Sequence, residues 1–453
     1  MTRSLTTAFV ADFAFPLHEW VKGHDSVARR RELEASQWWT PEQIESARIS
    51  RLRGLLTDVH RHVPYYRRAL DAAGIDPAGI TDVADLHRLP LLTKPLIRAN
   101  SDALKADDAR VLKRYNTGGS SGEPLVFYMG KRRVSHDVAA KWRATRWWDV
   151  DIGDPEIVLW GSPIELGAQD RLRSLRDRML RSTLLPAFDL SEASLDRFIG
   201  EIQKRRPRML FGYPSALTRL AEHAEARGQR LDELGIRVAF VTSEMLYDHQ
   251  RKAIRRTFGC AVANGYGGRD AGFIAHQCPQ GGMHISAEDI IVEIVDAMGK
   301  PVAVGQPGEV VVTHLATRDF PFIRYRTGDI GTLSSGACTC GRGLPLLDRI
   351  EGRSTDFVVA ADGTLMHGLA LIYILRDLPE IAAFKIVQES RQHVRVQIVA
   401  SQLLSPREED IRRGFRARLG DAVTVDIERV PAIAAEQSGK FRYVVSHAAP
   451  TTQ

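Results

Sequence analysis

A segment rich in glycine and hydroxyl groups, YNTGGSSGEP (115–124), has the composition of a phosphate-binding loop. Glycine lets the backbone approach an oxyanion closely, and successive N–H groups can form an anion-binding nest. The spacing differs from the Walker loop, because G-x-x-x-x-G-K-[ST] is absent. Alone, the segment could equally be a plain turn. Its candidate phosphate ligands are Thr117, Gly118, Gly119, Ser120, Ser121 and Gly122.

Two later segments place a carboxylate next to glycines. In NGYGGRDAG (264–272), Tyr266 can stack on a purine and Asp270 can face a divalent cation. In FIRYRTGDIG (322–331), Asp329 is placed to accept short, charge-assisted hydrogen bonds from vicinal ribose hydroxyls. Each is a weak signal when taken alone.

Two further segments follow near the end of the sequence. They are RIEGRSTDF (349–357) and EQSGKFRYV (436–444), where a glycine frees the approach of Lys440. A lone lysine in such a position is usually solvated, so its meaning depends on the other segments.

The cysteines and a histidine form a second kind of pattern. Cys278 and His284 flank two glycines, and Cys338 and Cys340 are separated by one residue, which disfavours a disulfide between them. Three thiolates and an imidazole make a tetrahedral ligand set, so we expect a structural Zn²⁺ site. Two alternatives stay open: His276 in place of His284, or four reduced cysteines without a metal.

The surrounding sequence predicts the elements that position these residues. Residues 41–72 have helical apolar spacing after a Thr40–Pro41 start signal. From about 110 to 330, short apolar runs alternate with amphipathic stretches, which favours a layered α/β fold with largely parallel strands. The runs are 156–160, 208–213 and 238–243, and the amphipathic stretches include 194–205 and 214–228.

The pattern changes after residue 290. Residues 290–296 and 308–315 flank a Gly- and Pro-containing connection and predict a β-rich subdomain with antiparallel, hairpin-connected strands. Segments 382–401, 408–420 and 423–430 predict a small α+β unit. We therefore expect two domains, residues 1–352 and a mobile C-terminal domain at 353–453.

Composition excludes several classes of protein. The net charge of +6 is modest for 453 residues, and no basic run interleaved with aromatics indicates nucleic acid. No apolar run is long enough to span a bilayer, and the N-terminal segment lacks a convincing cleavage site. We expect a cytoplasmic protein with no membrane partner. The basic stretch 171–181 is either a solvated helix face or an anchor for an anionic partner.

In their order along the chain, the five segments resemble the adenylate-forming superfamily of acyl-CoA synthetases, peptide-synthetase adenylation domains and luciferases. The closest resemblance is to the phenylacetate–coenzyme A ligase branch, whose opening pattern is similar to HVPYYRRAL and DLHRLPLLTKPLIRAN. The likeness covers residues 50–445.

The resemblance implies a role for each motif residue. It implies that the loop from Thr117 to Gly122 wraps the β- and γ-phosphates of ATP. It further implies that Lys440 bridges the carboxylate and the α-phosphate, and that Asp356 is the domain hinge. The remaining nucleotide contacts would be Ser243 and Glu244 with Tyr266 and Gly267 at the adenine, Asp329 at the ribose, and Arg353 on the ribose or phosphate side.

Two positions depart from the family pattern. Glu123 stands where the phosphate loop often carries lysine, and Asp270 stands where the family usually has a glutamate that ligates Mg²⁺. The shorter side chain withdraws the carboxylate by about one C–C bond, which weakens metal binding or requires a bridging water.

The expected activity is ATP-dependent conversion of an aryl or arylacetic acid to an acyl-adenylate, followed by transfer to coenzyme A. Aromatic residues available for the acid pocket are Trp142, Phe211 and Tyr213. Transfer to a carrier-protein thiol or an amine, and a non-catalytic scaffold of the same fold, stay open as alternatives. So does a homodimer.

Overall fold

The structure is a computed structural model that describes residues 3–117, 125–160, 176–187, 190–353, 357–363, 365–376, 378–400, 405–434 and 442–448. The chain divides into two compact units. Unit 1 comprises Met1–Thr327 and Gly331–Ile350, and unit 2 comprises Gly328–Ile330 and Glu351–Gln453.

The part of the chain that the structure describes contains nineteen strands. They are β1 Lys113–Asn116, β2 Val126–Met129, β3 Glu156–Trp160, β4 Ser182–Pro186, β5 Met209–Gly212, β6 Val238–Thr242, β7 Ala261–Gly268, β8 Gly272–Gln277, β9 Met283–Ile285, β10 Ile290–Val295, β11 Gly308–His314, β12 Tyr325–Leu333, β13 Leu346–Arg353, β14 Phe357–Val359, β15 Leu365–His367, β16 Ile381–Ser390, β17 His393–Ala400, β18 Thr424–Arg429 and β19 Val444–Ser446.

The helices lie before and between these strands. The α-helices are Leu5–Phe9, Phe15–Val21, Ser26–Ser36, Pro41–His62, Pro64–Ala73, Lys94–Ala99, Lys131–Arg146, Glu192–Arg205, Pro214–Ala226, Asp248–Phe258, Leu369–Arg376 and Ser405–Leu419, with a π-helix at Val10–Ala14 and 3₁₀ turns at Pro77–Gly79 and Val83–Arg88. Among the described residues, no helix combines the length and apolar character that a membrane crossing requires.

A mixed sheet of eleven strands forms the centre of unit 1, in the order β10-β11-β12-β13-β9-β8-β7-β6-β5-β3-β4. Strands β4, β3, β5, β6 and β7 run parallel. Strand β8 pairs antiparallel with both β7 and β9, and β10 pairs antiparallel with β11. The layered α/β fold and the later hairpin are therefore both confirmed.

The parallel strands are apolar because both of their faces are covered. Every residue of β5 and β6 is buried, as expected for strands with helices on both sides. Side chains of the helices Glu192–Arg205 and Pro214–Ala226 complete one core cluster, with Phe198, Leu217 and Leu220 fully enclosed.

The helix predicted for residues 41–72 is broken once. It starts at Pro41 with a capping box between Thr40 and Gln43, as the start signal predicts. Val63 then adopts an extended conformation, with φ −116° and ψ 105°. The helical conformation is disfavoured for a residue that precedes proline, so Pro64 begins a second helix.

Unit 2 contains a four-stranded sheet in the order β18-β17-β16-β19. The hairpin β16–β17 is antiparallel, and β18 and β19 pair in parallel at its two edges. The buried amide of Gln388 bonds both the N–H and the carbonyl of Val359, at 2.9 and 2.7 Å, and so fixes β14. This is the α+β arrangement that the sequence predicts.

Candidate active site

The carboxyl ends of the parallel strands define one edge of the large sheet. Strand β5 is followed by Tyr213, β6 by Ser243 and Glu244, and β7 by the turn that carries Asp270. Parallel strands end at the same edge, and ligands of open α/β sheets bind there. The fold thus groups segments that are far apart in the sequence.

The predicted phosphate loop lies in the sequence between two paired strands. Strands β1 and β2 are antiparallel, with Asn116 opposite Val126. Beyond this pair, the Thr117 N–H donates to the Leu125 carbonyl at 3.0 Å, and the Leu125 N–H donates to Thr117 Oγ1 at 3.0 Å. Thr117 therefore closes the base of the loop. Gly118, Gly119, Ser120, Ser121, Gly122 and Glu123 lie outside the described residues.

A side chain connects this hairpin to the turn after β7. The Arg269 guanidinium donates to the Asn116 carbonyl at 3.3 Å. Asn116 directly precedes the loop, and Arg269 directly precedes Asp270. The structure therefore joins two of the predicted motifs, although they are about 150 residues apart in sequence.

Both oxygens of the Asp270 carboxylate accept hydrogen bonds. The hydroxyl of Tyr325 donates to Oδ2 at 2.6 Å, and the Ala271 N–H donates to Oδ1 at 3.1 Å. Tyr325 is fully buried and its ring packs edge-on against Phe322. The sequence interpretation missed this partner, although Tyr325 lies within the quoted segment FIRYRTGDIG.

A buried arginine donates hydrogen bonds to the backbone of the same turn. Arg133, on the helix Lys131–Arg146, donates from its NH2 group to the carbonyls of Arg269 and Asp270, both at 3.3 Å. Its Nε contacts both oxygens of Asp137 at 3.0 Å. A β-carbon on Gly272 would come within 2.8 Å of the His314 ring and 3.1 Å of Arg133. The backbone of Gly272 therefore packs directly against these two side chains.

The charge states of Arg133, Asp137 and His314 follow from their burial and their pairing. Burial by itself would raise the pKa of Asp137, but the Arg133 guanidinium, with His136 and His314, holds that pKa well below its usual range. Burial and the nearby Arg133 charge lower the pKa of His314 to about 3. The group is therefore a carboxylate–guanidinium pair beside a neutral imidazole at neutral pH.

The predicted adenine segment after β6 has an unusual backbone. Ser243 has φ 72°, a left-handed conformation that is costly for a residue other than glycine. Such outliers cluster at functional sites. The next residue, Glu244, accepts a hydrogen bond from the Ser215 N–H at 3.1 Å, at the start of the helix Pro214–Ala226.

Tyr266 and Gly267 lie where the β7–β8 pairing is irregular. The register shifts between these two residues, and such bulges are frequent beside active sites. Gly267 is required sterically, because a β-carbon there would lie 2.1 Å from the Gly272 carbonyl oxygen. Tyr266 is half-buried against the main core cluster.

The remaining predicted nucleotide residues belong to unit 2 or to its boundary. Asp329 is half-buried on β12 and follows Gly328, whose φ is 79°. Arg353 ends β13, and its side chain lies outside the described residues. Asp356 and Lys440 also lie outside them.

The three aromatic candidates for the acid pocket do not come together. Phe211 packs on Phe240 in the core beside β5, and Tyr213 stacks on Trp160 with ring centroids 4.4 Å apart. Trp142 is instead packed edge-on against Phe15, and its indole N–H donates to Asp151 at 2.5 Å. The aromatic residue that contacts both Phe211, at a centroid distance of 5.7 Å, and Tyr213 is Trp160.

The Cys/His residues of the second sequence pattern form a compact cluster. The ligand atoms of Cys278, His284, Cys338 and Cys340 all lie within 4.8 Å of one another. Sγ of Cys278 is 3.6 Å from Sγ of Cys338, and Sγ of Cys340 is 3.2 Å from Nε2 of His284.

Neighbouring residues orient the ligand atoms of the cluster toward one another. Nδ1 of His284 contacts the Leu344 carbonyl at 3.3 Å, which leaves the Nε2 lone pair facing the thiols. A β-carbon on Gly282 would lie 2.7 Å from Cys338 Sγ, so glycine is needed there. His276 is paired opposite His284, but its ring stacks on Phe273 and does not belong to the cluster.

Comparison with known protein families matches two parts of the chain. The family described as AMP-binding enzyme matches residues 181–316. The family described as CapK C-terminal domain matches residues 358–447.

Several curated proteins are similar over most of their length. Phenylacetate-coenzyme A ligase of Thermus thermophilus is 28% identical over 352 residues, covering 75% of this chain and 77% of the relative. The Escherichia coli protein of that name is 27% identical over 326 residues, covering 70% and 73%. Protein CapK of Staphylococcus aureus is 23% identical over 394 residues, covering 86% of both.

Solved structures show the same fold. A crystal structure of 2-hydroxyisobutyryl-CoA ligase in the postadenylation state has a TM-score of 0.71 and 21% identity, covering 89% of each chain. The amide bond synthetase McbA of Marinactinospora thermotolerans has a TM-score of 0.51 and 20% identity, covering 72% of this chain and 66% of that one. At these identities the likeness establishes an adenylate-forming fold and no particular reaction.

The family matches, the relatives and the fold agree with the order of the five segments. They support the resemblance to the phenylacetate–coenzyme A ligase-like branch of the adenylate-forming superfamily.

Proposed function

We propose that this protein is an ATP-dependent, AMP-forming acid–thiol ligase. It converts a carboxylic acid and ATP to an acyl-adenylate and pyrophosphate, and then transfers the acyl group to coenzyme A. The observation that carries the proposal is the bond from Arg269 to the Asn116 carbonyl, which joins the base of the phosphate loop to the turn that bears Asp270. Relatives named phenylacetate-coenzyme A ligase, at 27–28% identity, support it.

In this proposal the loop between Thr117 and Leu125 binds the β- and γ-phosphates through its backbone N–H groups. The Thr117 hydroxyl already accepts the Leu125 N–H, so its own proton is available to a phosphate oxygen. The proposed adenine and ribose contacts are Ser243, Glu244, Tyr266, Gly267, Asp329 and Arg353.

Asp270 is the residue proposed to hold Mg²⁺. Each of its carboxylate oxygens accepts one hydrogen bond from protein, from Tyr325 and from Ala271, and keeps a further lone pair. The side chain is half-buried, so it can reach a solvated cation. Bound Mg²⁺ would neutralise charge on the transferring phosphates.

The proposed role of Lys440 is electrostatic. A carboxylate that attacks the α-phosphate brings two anions together, and an ammonium group between them stabilises the charge that develops. We propose residues 353–453 as a lid that moves about Asp356, which would remove Lys440 once adenylation is complete.

The proposed acid is an aryl or arylacetic acid. Tyr213 and Trp160 form a stacked pair at the carboxyl ends of β5 and β3, where an aromatic ring can be covered by apolar side chains. Coenzyme A is the proposed acceptor, and a carrier-protein thiol or an amine is the alternative.

The cluster of Cys278, His284, Cys338 and Cys340 is proposed to hold a structural Zn²⁺. Three sulfur atoms and one imidazole nitrogen are the donor set of a closed tetrahedral zinc site. The cluster connects the β8–β9 turn to the connection that precedes β13.

Exchange of labelled pyrophosphate into ATP, in the presence of a panel of carboxylic acids, tests the first half-reaction. We expect exchange with aryl or arylacetic acids, and its loss in Lys440→Ala. Lys385→Ala, on β16 of the same unit, is the matched control and should keep exchange. Wild-type exchange in Lys440→Ala refutes the assigned role, and no exchange with any acid favours a non-catalytic scaffold. Thioester formation with coenzyme A or with a carrier protein then separates the acceptors.

A further inference from the structure

The N-terminal helical segment exposes an apolar face. Six of the twelve large apolar residues that are exposed in the described part of the chain lie within residues 5–21, and these six are between 61% and 92% exposed. We call five of them the apolar stripe: Leu5, Phe9, Phe13, Leu17 and Trp20. Contiguous exposed apolar surface of this kind marks interaction sites in proteins.

The opposite face fixes the segment to the protein. Val10, Ala11 and Phe15 are buried, and Phe15 packs edge-on against Trp142 at 5.1 Å. Thr7 is buried and its hydroxyl donates to Asp154 at 2.8 Å. The stripe is therefore presented by a segment whose other face is part of the core.

A π-helical turn keeps the stripe straight. In an α-helix of 3.6 residues per turn, side chains four apart drift by about 40° at each step. The π-helix at Val10–Ala14 holds more residues per turn and rotates less per residue, which offsets this drift. Phe9 and Phe13 consequently stack, with ring centroids 6.2 Å apart and planes within 9°.

Cations gather at the end of the stripe, and we call this group the cationic cluster. Nζ of Lys131 lies so close to Gly23 that a β-carbon there would approach it to 2.6 Å. Burial, together with the charges of Arg176 and Lys113, lowers the pKa of Lys22, while Glu19 opposes that shift. The members of the cluster are Lys22, Lys113, Lys131 and Arg176.

Acidic side chains near this face are engaged by other groups. Asp12 pairs with Arg3 at 3.0 Å, and Asp177 pairs with Arg176 at 2.5 Å. Glu19 is buried and contacts His18 and His24 at 3.1 and 3.2 Å. The exposed charge beside Trp20 is therefore dominated by lysine.

We propose that the apolar stripe and the cationic cluster form a docking surface for a bilayer that carries anionic headgroups. The aromatic and leucine side chains would enter the headgroup boundary, with the lysines against lipid phosphates, which is the pattern of an interfacial amphipathic helix. A second copy of the chain is the less suitable occupant, because it has the same net charge of +6 and the same cluster. The proposal concerns a surface contact and no span, and departs from the sequence interpretation, which expected no membrane partner.

Flotation of the full-length protein with phosphatidylcholine vesicles, with and without phosphatidylglycerol, tests the proposal. We expect binding to the anionic vesicles that weakens as salt is added. The variant Phe9→Gln/Phe13→Gln/Trp20→Gln should bind about tenfold more weakly or worse, because each buried aromatic side chain contributes to partitioning. Lys22→Gln/Lys113→Gln should lose the preference for anionic vesicles.

The matched control is Met298→Gln/Val304→Gln, which removes two exposed apolar side chains elsewhere and should bind like the wild type. Near-ultraviolet circular dichroism and pyrophosphate exchange verify that each variant is folded. Absence of vesicle binding, or equal binding by the triple variant, overturns the proposal. So does a wild-type dimer in sedimentation that the triple variant disperses, because the occupant is then a second copy.

Discussion

The hydroxyl of Tyr325 donates a 2.6 Å hydrogen bond to Oδ2 of Asp270, across 55 residues of sequence. This bond fixes the orientation of the Asp270 carboxylate, which we propose to hold Mg²⁺. It also links the start of β12 to the turn that follows Tyr266.

Removal of the phenol should weaken the response to magnesium. A hydrogen bond to a charged group contributes about 1.5–3 kcal/mol, so in Tyr325→Phe we expect the Mg²⁺ concentration for half-maximal adenylation to rise about tenfold or more. Tyr66→Phe is the matched control, because its hydroxyl is also buried in the same core cluster but contacts the backbone of Ile323. Equal magnesium titrations for the two variants would contradict the role of Tyr325.

Arg133 should act as a positioning residue for the turn of Asp270. In Arg133→Lys the charge remains, but the paired contacts to the carbonyls of Arg269 and Asp270 are lost. Since a displacement of about 1 Å can cost about a hundredfold in rate, we expect kcat/KM for ATP to fall by about ten- to a hundredfold, with a shifted magnesium titration.

Arg143→Lys is the control for Arg133. Arg143 is equally buried on the same helix, but it pairs with Glu288. Both variants should lose thermal stability, and only Arg133→Lys should change the magnesium titration. If both change it alike, Arg133 has a purely structural role.

Purified protein should contain one equivalent of zinc. Cys278→Ala should lose the metal and unfold at a lower temperature, because binding free energy is linked to folding. Cys260→Ala removes the buried cysteine that lies outside the cluster and should keep its zinc. Elemental analysis after metal-sparing purification provides the measurement, and metal-free wild-type protein with unchanged stability would exclude the site.

The order of motifs was enough to predict the superfamily, and apolar periodicity was enough to predict the parallel strands and the late hairpin. Contacts between residues that are far apart in the sequence were not predictable. Tyr325 and Arg133 are examples, because nothing in their neighbourhoods specifies that β12 and the helix Lys131–Arg146 approach the turn of Asp270. Periodicity also predicted no break at Val63, although Pro64 supplies the signal.

Trp142 illustrates a different limit. An aromatic residue on an amphipathic helix is predicted to be buried, and Trp142 is buried. The sequence around it does not identify the residue against which it packs. The structure places it against Phe15, while Trp160 at the end of β3 occupies the position beside Tyr213. Which aromatic groups meet is decided by the strand order.

The π-helix at Val10–Ala14 determines the direction in which the apolar side chains of the N-terminal segment point. Hydropathy does not record this direction. If the same residues adopted ordinary α-helical winding, Leu5 and Phe9 would turn away from Leu17 and Trp20 by roughly a quarter of a revolution. The amino-acid content would be unchanged, yet the apolar side chains would point in two directions. The helical winding of this segment therefore determines its surface as much as its composition does.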